Sequence, residues 1–278
     1  MKRLGYRYQR TLARPVELMG IGFLTGASIH IRFRPAPPST GVVFLRTDLQ
    51  PPGQLPACID HVIGTDRRTT LGSGPVRVAL VEHVLAALHG LRIDNCYIEL
   101  NAPEPPGLDG SAQQFVNALL EAGIVLQSAR RPIFGVTAPV ITSQNGATLS
   151  LHPHPDNELK ISYLLDYGLN SPIARQICTE VISPETFACR VAGCRTFLLR
   201  ARRTSSAARD WGRGQRLPTC SFSAGTVPST TRCVTPMNRP ATRSWIWSAI
   251  FHFLAMTCGA PWSPTARDIL SMRNLCRS

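Results

Sequence analysis

The sequence predicts an α+β fold built as two domains in tandem. Three observations carry this expectation. Segments with period-two apolar alternation give way to segments with a helical period, and that order starts again after a polar, basic joint at residues 127–132. The composition then changes abruptly after Leu199. A chain of 278 residues that is 44% apolar and 17% charged has the balance of a globular protein and the length for two modest cores.

The elements follow in order. Residues 16–19 read as a strand ended by Gly20 and Gly22, and residues 27–34 alternate with the period of a half-buried strand. Residues 35–41 form a turn cluster, after which 42–45 resume as a strand. From 78 to 91 the period becomes helical with Gly90 as terminator, and 96–100 is a short strand. A second helix is expected from Ser111, with Gln114 completing a capping box and Gly123 closing it. Strand-like runs recur at 133–142, 147–151, 159–167 and 176–182. Ser183-Pro184-Glu185 then has the form of a helix start, a cap residue followed by proline in the first turn. The domain boundary is expected near residue 130.

Charge is unevenly placed. Residues 1–199 hold 18 of the 30 Lys and Arg and 15 of the 17 Asp and Glu, a net of +3. Residues 200–278 hold 12 Arg, no Lys, no Glu and only Asp210 and Asp268, a net of +10. A basic nucleic-acid-binding protein is the class such a charge first suggests. The tail arginines form no helical stripe, so no specific nucleic-acid partner is expected. The nine cysteines include no Cys-x-x-Cys pair and give neither a disulfide framework nor a cysteine zinc site. No window approaches the roughly 18 apolar residues of a membrane span, and the basic amino terminus leads into no apolar stretch. A cytoplasmic protein with free thiols is expected.

Three segments carry chemistry: Thr69-Thr70-Leu71, then Val81-Glu82-His83-Val84-Leu85-Ala86-Ala87-Leu88, then Asn101-Ala102-Pro103-Glu104 leading to Asp109-Gly110-Ser111-Ala112. An adjacent Glu82 and His83 on a helix facing a cleft supply a carboxylate able to deprotonate water and an imidazole able to bind zinc. Taken alone, such a pair is more often a partly exposed polar pair. Thr196, near a helix end, fits a structural hydroxyl bonded one turn back, and Tyr163 fits a buried strand aromatic. His89 falls on another face from His83, and His152 and His154 lie in a proline-rich loop; none of them completes a site.

Taken with Arg10-Thr11-Leu12 and the run from Gly41 to Leu49, the order and spacing of these segments resemble the UDP-3-O-acyl-N-acetylglucosamine deacetylases, zinc enzymes that commit cells to lipid A synthesis. The resemblance is dense from residue 8 to 125 and weaker through Leu164-Leu165-Asp166-Tyr167 to Cys194-Arg195-Thr196-Phe197. It implies two tandem α+β sandwich domains of similar topology, at 1–128 and 129–199, the second incomplete and followed by a disordered tail at 200–278. It implies Zn2+ as cofactor, with His83 a ligand and Glu82 the general base. Thr196 would help stabilise the oxyanion, Phe197 would sit near the acyl passage, and Tyr163 would stack on uracil. The implied substrate is UDP-3-O-acyl-N-acetylglucosamine, whose acetamide is hydrolysed to the free amine and acetate, and the implied state is a monomer.

The family takes two further zinc ligands from a His-Lys-Ile-Leu-Asp run and its general acid from a Ser-Gly-His run, and neither run exists in this chain. All four tryptophans, Trp211, Trp245, Trp247 and Trp262, fall after Leu199, as in a GC-rich gene read in the wrong frame. A shifted codon joins the last base of one residue's codon to the first two of the next. In that frame residues 241–250 permit His-Lys-Ile-Leu-Asp-Leu-Val-Gly-Asp, and Trp245 followed by Ile246 forces the aspartate. Residues 262–274 permit Val-Thr-Tyr-Arg-Ser-Gly-His-Pro-Leu-Asn-Ala-Glu, where Asp268 followed by Ile269 allows only histidine or tyrosine. Both missing motifs return in the right order. A single frame slip close to Leu199, a mutation or a misread base, is therefore expected, with an inactive or greatly impaired product. A non-catalytic relative that binds the nucleotide sugar is the other reading.

Overall fold

The computed structural model describes residues 2–65, 68–144, 146–156, 158–166, 168, 175–195, 197–199 and 221–223. Over these the chain is α+β, as the sequence predicts. The strands are β1 (Lys2–Leu12), β2 (Val16–Ile21), β3 (Ser28–Pro35), β4 (Val42–Arg46), β5 (Gly53–Pro56), β6 (Val62–Gly64), β7 (Thr70–Ser73), β8 (Val76–Ala79), β9 (Cys96–Leu100) and β10 (Ile124–Gly135). They continue with β11 (Val140–Gln144), β12 (Ala147–His152), β13 (Leu159–Leu165), β14 (Gln176–Ile182), β15 (Phe197–Leu199) and β16 (Ser221–Ser223). Helix α1 (Glu82–Gly90) follows β8, α2 (Gln113–Ala122) follows β9, and a single turn α3 (Pro184–Thr186) runs into a π-helical turn at Phe187–Val191.

The first large sheet has the order β2-β3-β9-β4-β5, antiparallel except where β4 meets β9. Period-two patterning explains its two faces. Ile29, Ile31 and Phe33 of β3, Phe44 of β4 and Ile98 and Leu100 of β9 are fully buried, and α1 and α2 contribute Val84, Leu85, Leu88, Phe115 and Leu119 to the same core. Phe115 meets Phe33 edge to face, with ring centroids 6.3 Å apart. The other face is ionic: Glu17 lies 2.9 Å from His30 Nε2 and 3.1 Å from Arg32 Nε, and Glu99 accepts from Arg34.

The second large sheet is the meander β11-β12-β13-β14. Ile161, Tyr163 and Leu165 of β13 turn inward and join, with Leu151, Ile182 and Phe187, the cluster that contains α1. Outward hydroxyls pair across the strands, Ser143 with Thr148 at 2.8 Å and Ser162 with Thr179 at 2.7 Å. Short β6-β7-β8 form a third sheet, and β15 pairs in parallel with β16.

Four expectations need correction. Residues 76–79 form β8, not the start of a helix, because the chain turns at Leu80 with φ +55° before α1 begins. Gly90 is the last residue of α1 rather than the stop after it. Its role is space, since a Cβ there would fall 2.1 Å from the Phe187 ring. Ser111 and Gln114 form no capping box: the Ser111 hydroxyl donates to Asp109 Oδ1 at 2.7 Å, and α2 starts two residues later. Residues 127–132, expected to lie between strands, are themselves within β10, where 130–132 pair with β1 and 127–129 fall at an irregularity in the ribbon. Arg7 and Arg131 face each other across that ribbon, and Asp94 neutralises the repulsion by accepting from Arg7 at 2.6 and 2.7 Å and from Arg131. The helix start at Ser183 is as expected, with Ser183 and Thr186 capping each other's backbone N–H. Among the described residues no helix is long and apolar enough to cross a membrane.

Candidate active site

Glu82 and His83 are the first two residues of α1. Strand β8 delivers the chain to Leu80, and the buried Val81 then anchors the helix start in the core. The Glu82 side chain is nearly enclosed, at 7% exposure, and its Oε1 accepts a hydrogen bond from the backbone N–H of Thr69, the residue that leads into β7. The amide N–H meets the hydrogen-bonding need of the enclosed carboxyl group, and the first turn of a helix is a favourable place for an acidic side chain. Thr69 is itself buried, and its hydroxyl has no hydrogen-bond partner among the described residues. The Thr69-Thr70-Leu71 and Glu82-His83 segments are thus one site. The half-buried His83 projects about 100° around the helix from Glu82, so the two groups flank a common edge of α1.

Three other histidines are enclosed or paired elsewhere. His89, at the far end of α1, has its electrostatic neighbours in the Asp94 clamp. Burial, reinforced by Arg131 and Arg7 and opposed by Asp94, pushes its pKa down to about 3. His152 ends β12 with Nε2 enclosed, and His154 sits 3.8 Å from Asp156.

Two acidic residues of the third segment do structural work that the sequence did not disclose. Glu104 is completely buried and accepts from the N–H groups of Leu24 and Thr25 and the Thr25 hydroxyl, at 2.7–3.0 Å. Gly22 makes room for it, since a Cβ there would lie 2.4 Å from Glu104 Oε1. Asp109 holds Ser111 and also accepts from Arg195 Nη2 at 3.2 Å.

Tyr163 lies on β13 between Leu149 and Cys178 of the neighbouring strands, buried on the inward face. Phe197 opens β15, for which the backbone alone is described, and Thr196 lies outside the described residues. So do residues 200–278 apart from 221–223, and with them the expected tail. For a metal the described donor set is too small: no group of three or more His, Cys, Asp or Glu is placed to hold an ion among the described residues. His83 beside Glu82 supplies one imidazole, where catalytic zinc takes three protein ligands.

Comparison with known proteins gives a consistent result. The model of the family described as UDP-3-O-acyl N-acetylglycosamine deacetylase matches residues 9–222. The chain is 40% identical over 190 residues to the bifunctional enzyme LpxC/FabZ of Chlorobaculum tepidum, covering 68% of this chain and 40% of that one. It is 38% identical over 192 residues to the UDP-3-O-acyl-N-acetylglucosamine deacetylase of Coxiella burnetii, covering 68% and 62%. It is 40% identical over 193 residues to the protein of the same name from Chlamydia felis, covering 69% and 68%. The chain therefore spans two fifths to two thirds of the length of these relatives. With the family model matching more than half of its residues, the chain belongs to the UDP-3-O-acyl N-acetylglycosamine deacetylase family.

Proposed function

We propose that residues 1–199 are the amino-terminal part of a cytoplasmic hydrolase that removes the acetyl group from the amide nitrogen of UDP-3-O-acyl-N-acetylglucosamine, a step of lipid A synthesis, and that the chain as written does not turn over. The observation that carries the reading is the buried Glu82 carboxylate, pinned by the Thr69 N–H beside His83 at the start of α1, in a chain of this family. Glu82 is placed to accept a proton from the attacking water. Thr196 donates to the oxyanion of the tetrahedral intermediate. Phe197 lines the acyl passage, and Tyr163 contributes to the uracil pocket.

The zinc that the family implies does not fit the described residues. His83 is the one zinc ligand carried over, and the other two, together with the histidine that would protonate the leaving amine, are readable only in the shifted frame of residues 241–274.

The test has two parts. Genomic DNA across the codons for Arg195 to Trp211 is resequenced, and the chain as written is compared with a frame-restored chain for deacetylation and zinc content. The restored enzyme is expected to carry one zinc per chain and to hydrolyse the acetamide, and Glu82→Gln is expected to lower its rate by about 10²–10⁴. The chain as written is expected to do neither. One tight zinc or measurable turnover in the chain as written would refute the reading, and UDP binding without turnover by both forms would favour the non-catalytic relative.

A further inference from the structure

Asp109 belongs to a segment that the sequence marks and the proposed chemistry leaves without a role. Its carboxylate is fixed from both sides. Oδ1 accepts from the Ser111 N–H at 3.1 Å and from the Ser111 hydroxyl at 2.7 Å, and that hydroxyl in turn accepts from the Gln113 N–H at 3.1 Å, where α2 begins. Oδ2 accepts from Arg195 Nη2 at 3.2 Å. A main-chain bond lies alongside, from Ala112 N–H to the Ala192 carbonyl at 2.9 Å. The turn before α2 is therefore joined at two points to the segment that leaves the π-helical turn, 86 residues further along the chain.

The place of this junction gives it meaning. Arg195 immediately precedes Thr196, and Phe197 opens β15 one residue later. A guanidinium held by a carboxylate that is itself locked by a helix start ties the chain at Arg195 to the turn before α2. We infer that Asp109 is a positioning residue: through Arg195 it anchors the chain at the position just before Thr196, the oxyanion donor of the proposed reaction. The inference rests on the deacetylase reading for the role of Thr196, but the coupling itself does not. Arg195 and Asp109 are both partly open to solvent, so the pair acts by orientation rather than by a large contribution to stability.

The coupling is tested in the full chain as written by hydrogen exchange, with Asp109→Asn, Arg195→Gln, the double variant and Arg195→Lys. Each neutralising substitution is expected to speed exchange in the peptide spanning residues 192–199 by up to about fivefold, the scale of a partly exposed pair. The double variant should be no faster than either single one, Arg195→Lys should stay near the parent, and β3 and β9 should not change. Equal exchange in all forms overturns the coupling. In the frame-restored enzyme, Asp109→Asn is expected to lower kcat while KM stays within about twofold, because a transition-state contact is displaced and ground-state binding is not. Faster exchange with unchanged kcat overturns the positioning role. A restored parent without activity overturns the deacetylase reading instead, and the exchange experiment still decides the coupling.

Discussion

A buried imidazole makes the described fold sensitive to acid. His89 has Nε2 closed to solvent and without a hydrogen-bond partner among the described residues. Burial lowers its pKa most; Arg131 and Arg7 lower it further, Asp94 opposes them, and the result is about 3 against an ordinary 6.5. Between those values the unfolded chain binds a proton that the native chain refuses, so native stability falls as acid is added. Asp94 behaves differently. Burial works to raise its carboxyl, but the hydrogen bonds and charges of Arg7 and Arg131 prevail and hold it below the usual range. Its contribution is complete above the unfolded value and is lost only as pH falls through the lower, folded one, below the range where His89 acts first. Unfolding in urea at pH 7 and pH 5 should show a loss of about 2 kcal/mol attributable to His89. His89→Gln should flatten the slope between those two pH values, whereas Asp94→Asn should cost on the order of 3 kcal/mol at both by leaving Arg7 and Arg131 opposed. A parent-like slope in the His89 variant would refute the assignment.

At the scale of elements, the contact between α1 and the π-helical turn governs what α1 can carry. Gly90→Ala improves helix propensity by about 1 kcal/mol, yet its Cβ would stand 2.1 Å from a ring that is completely buried. Overpacking of this kind costs about 1–3 kcal/mol, so the clash outweighs the propensity. The variant should melt below the parent, and Phe187→Leu introduced with it should recover part of the loss; a higher melting temperature for Gly90→Ala would contradict the packing argument. The same glycine shows where the sequence is legible and where it is not. Strands β3, β9 and β13 are readable because one face of each is buried and the other is wetter, which imprints a period of two, and β4 is readable as a short apolar run. Strands β5 to β8 are three or four residues long, too short for any period, and Gly53, Pro56, Gly64 and Gly72 break them further. Strand β10 hides because much of it pairs as a ribbon with β1, so its arginines look like a linker. In the site, Glu82 and His83 are legible as a pair of side chains. The Thr69 amide is not, because a backbone donor leaves no mark in residue type and its partner lies 13 residues away.

At the scale of the whole molecule, buried residues from both sides of position 130 share one cluster. Ile31, Phe44 and Leu85 from the first part and Ile161, Tyr163 and Phe187 from the second belong to one buried cluster. Sheets that share a core are expected to lose it together. Phe187 is the strongest test, because it comes from the second part and presses on α1 of the first. Phe187→Ala should destabilise the fold by about 3 kcal/mol or more, the usual result of removing a fully enclosed aromatic ring. Hydrogen exchange read in β3 and in β13 should then accelerate by the same factor, because both report one global opening. Acceleration confined to β13 would instead mean two units that open independently, and the positioning of Thr196 through Asp109 would then depend on a junction that breathes on its own.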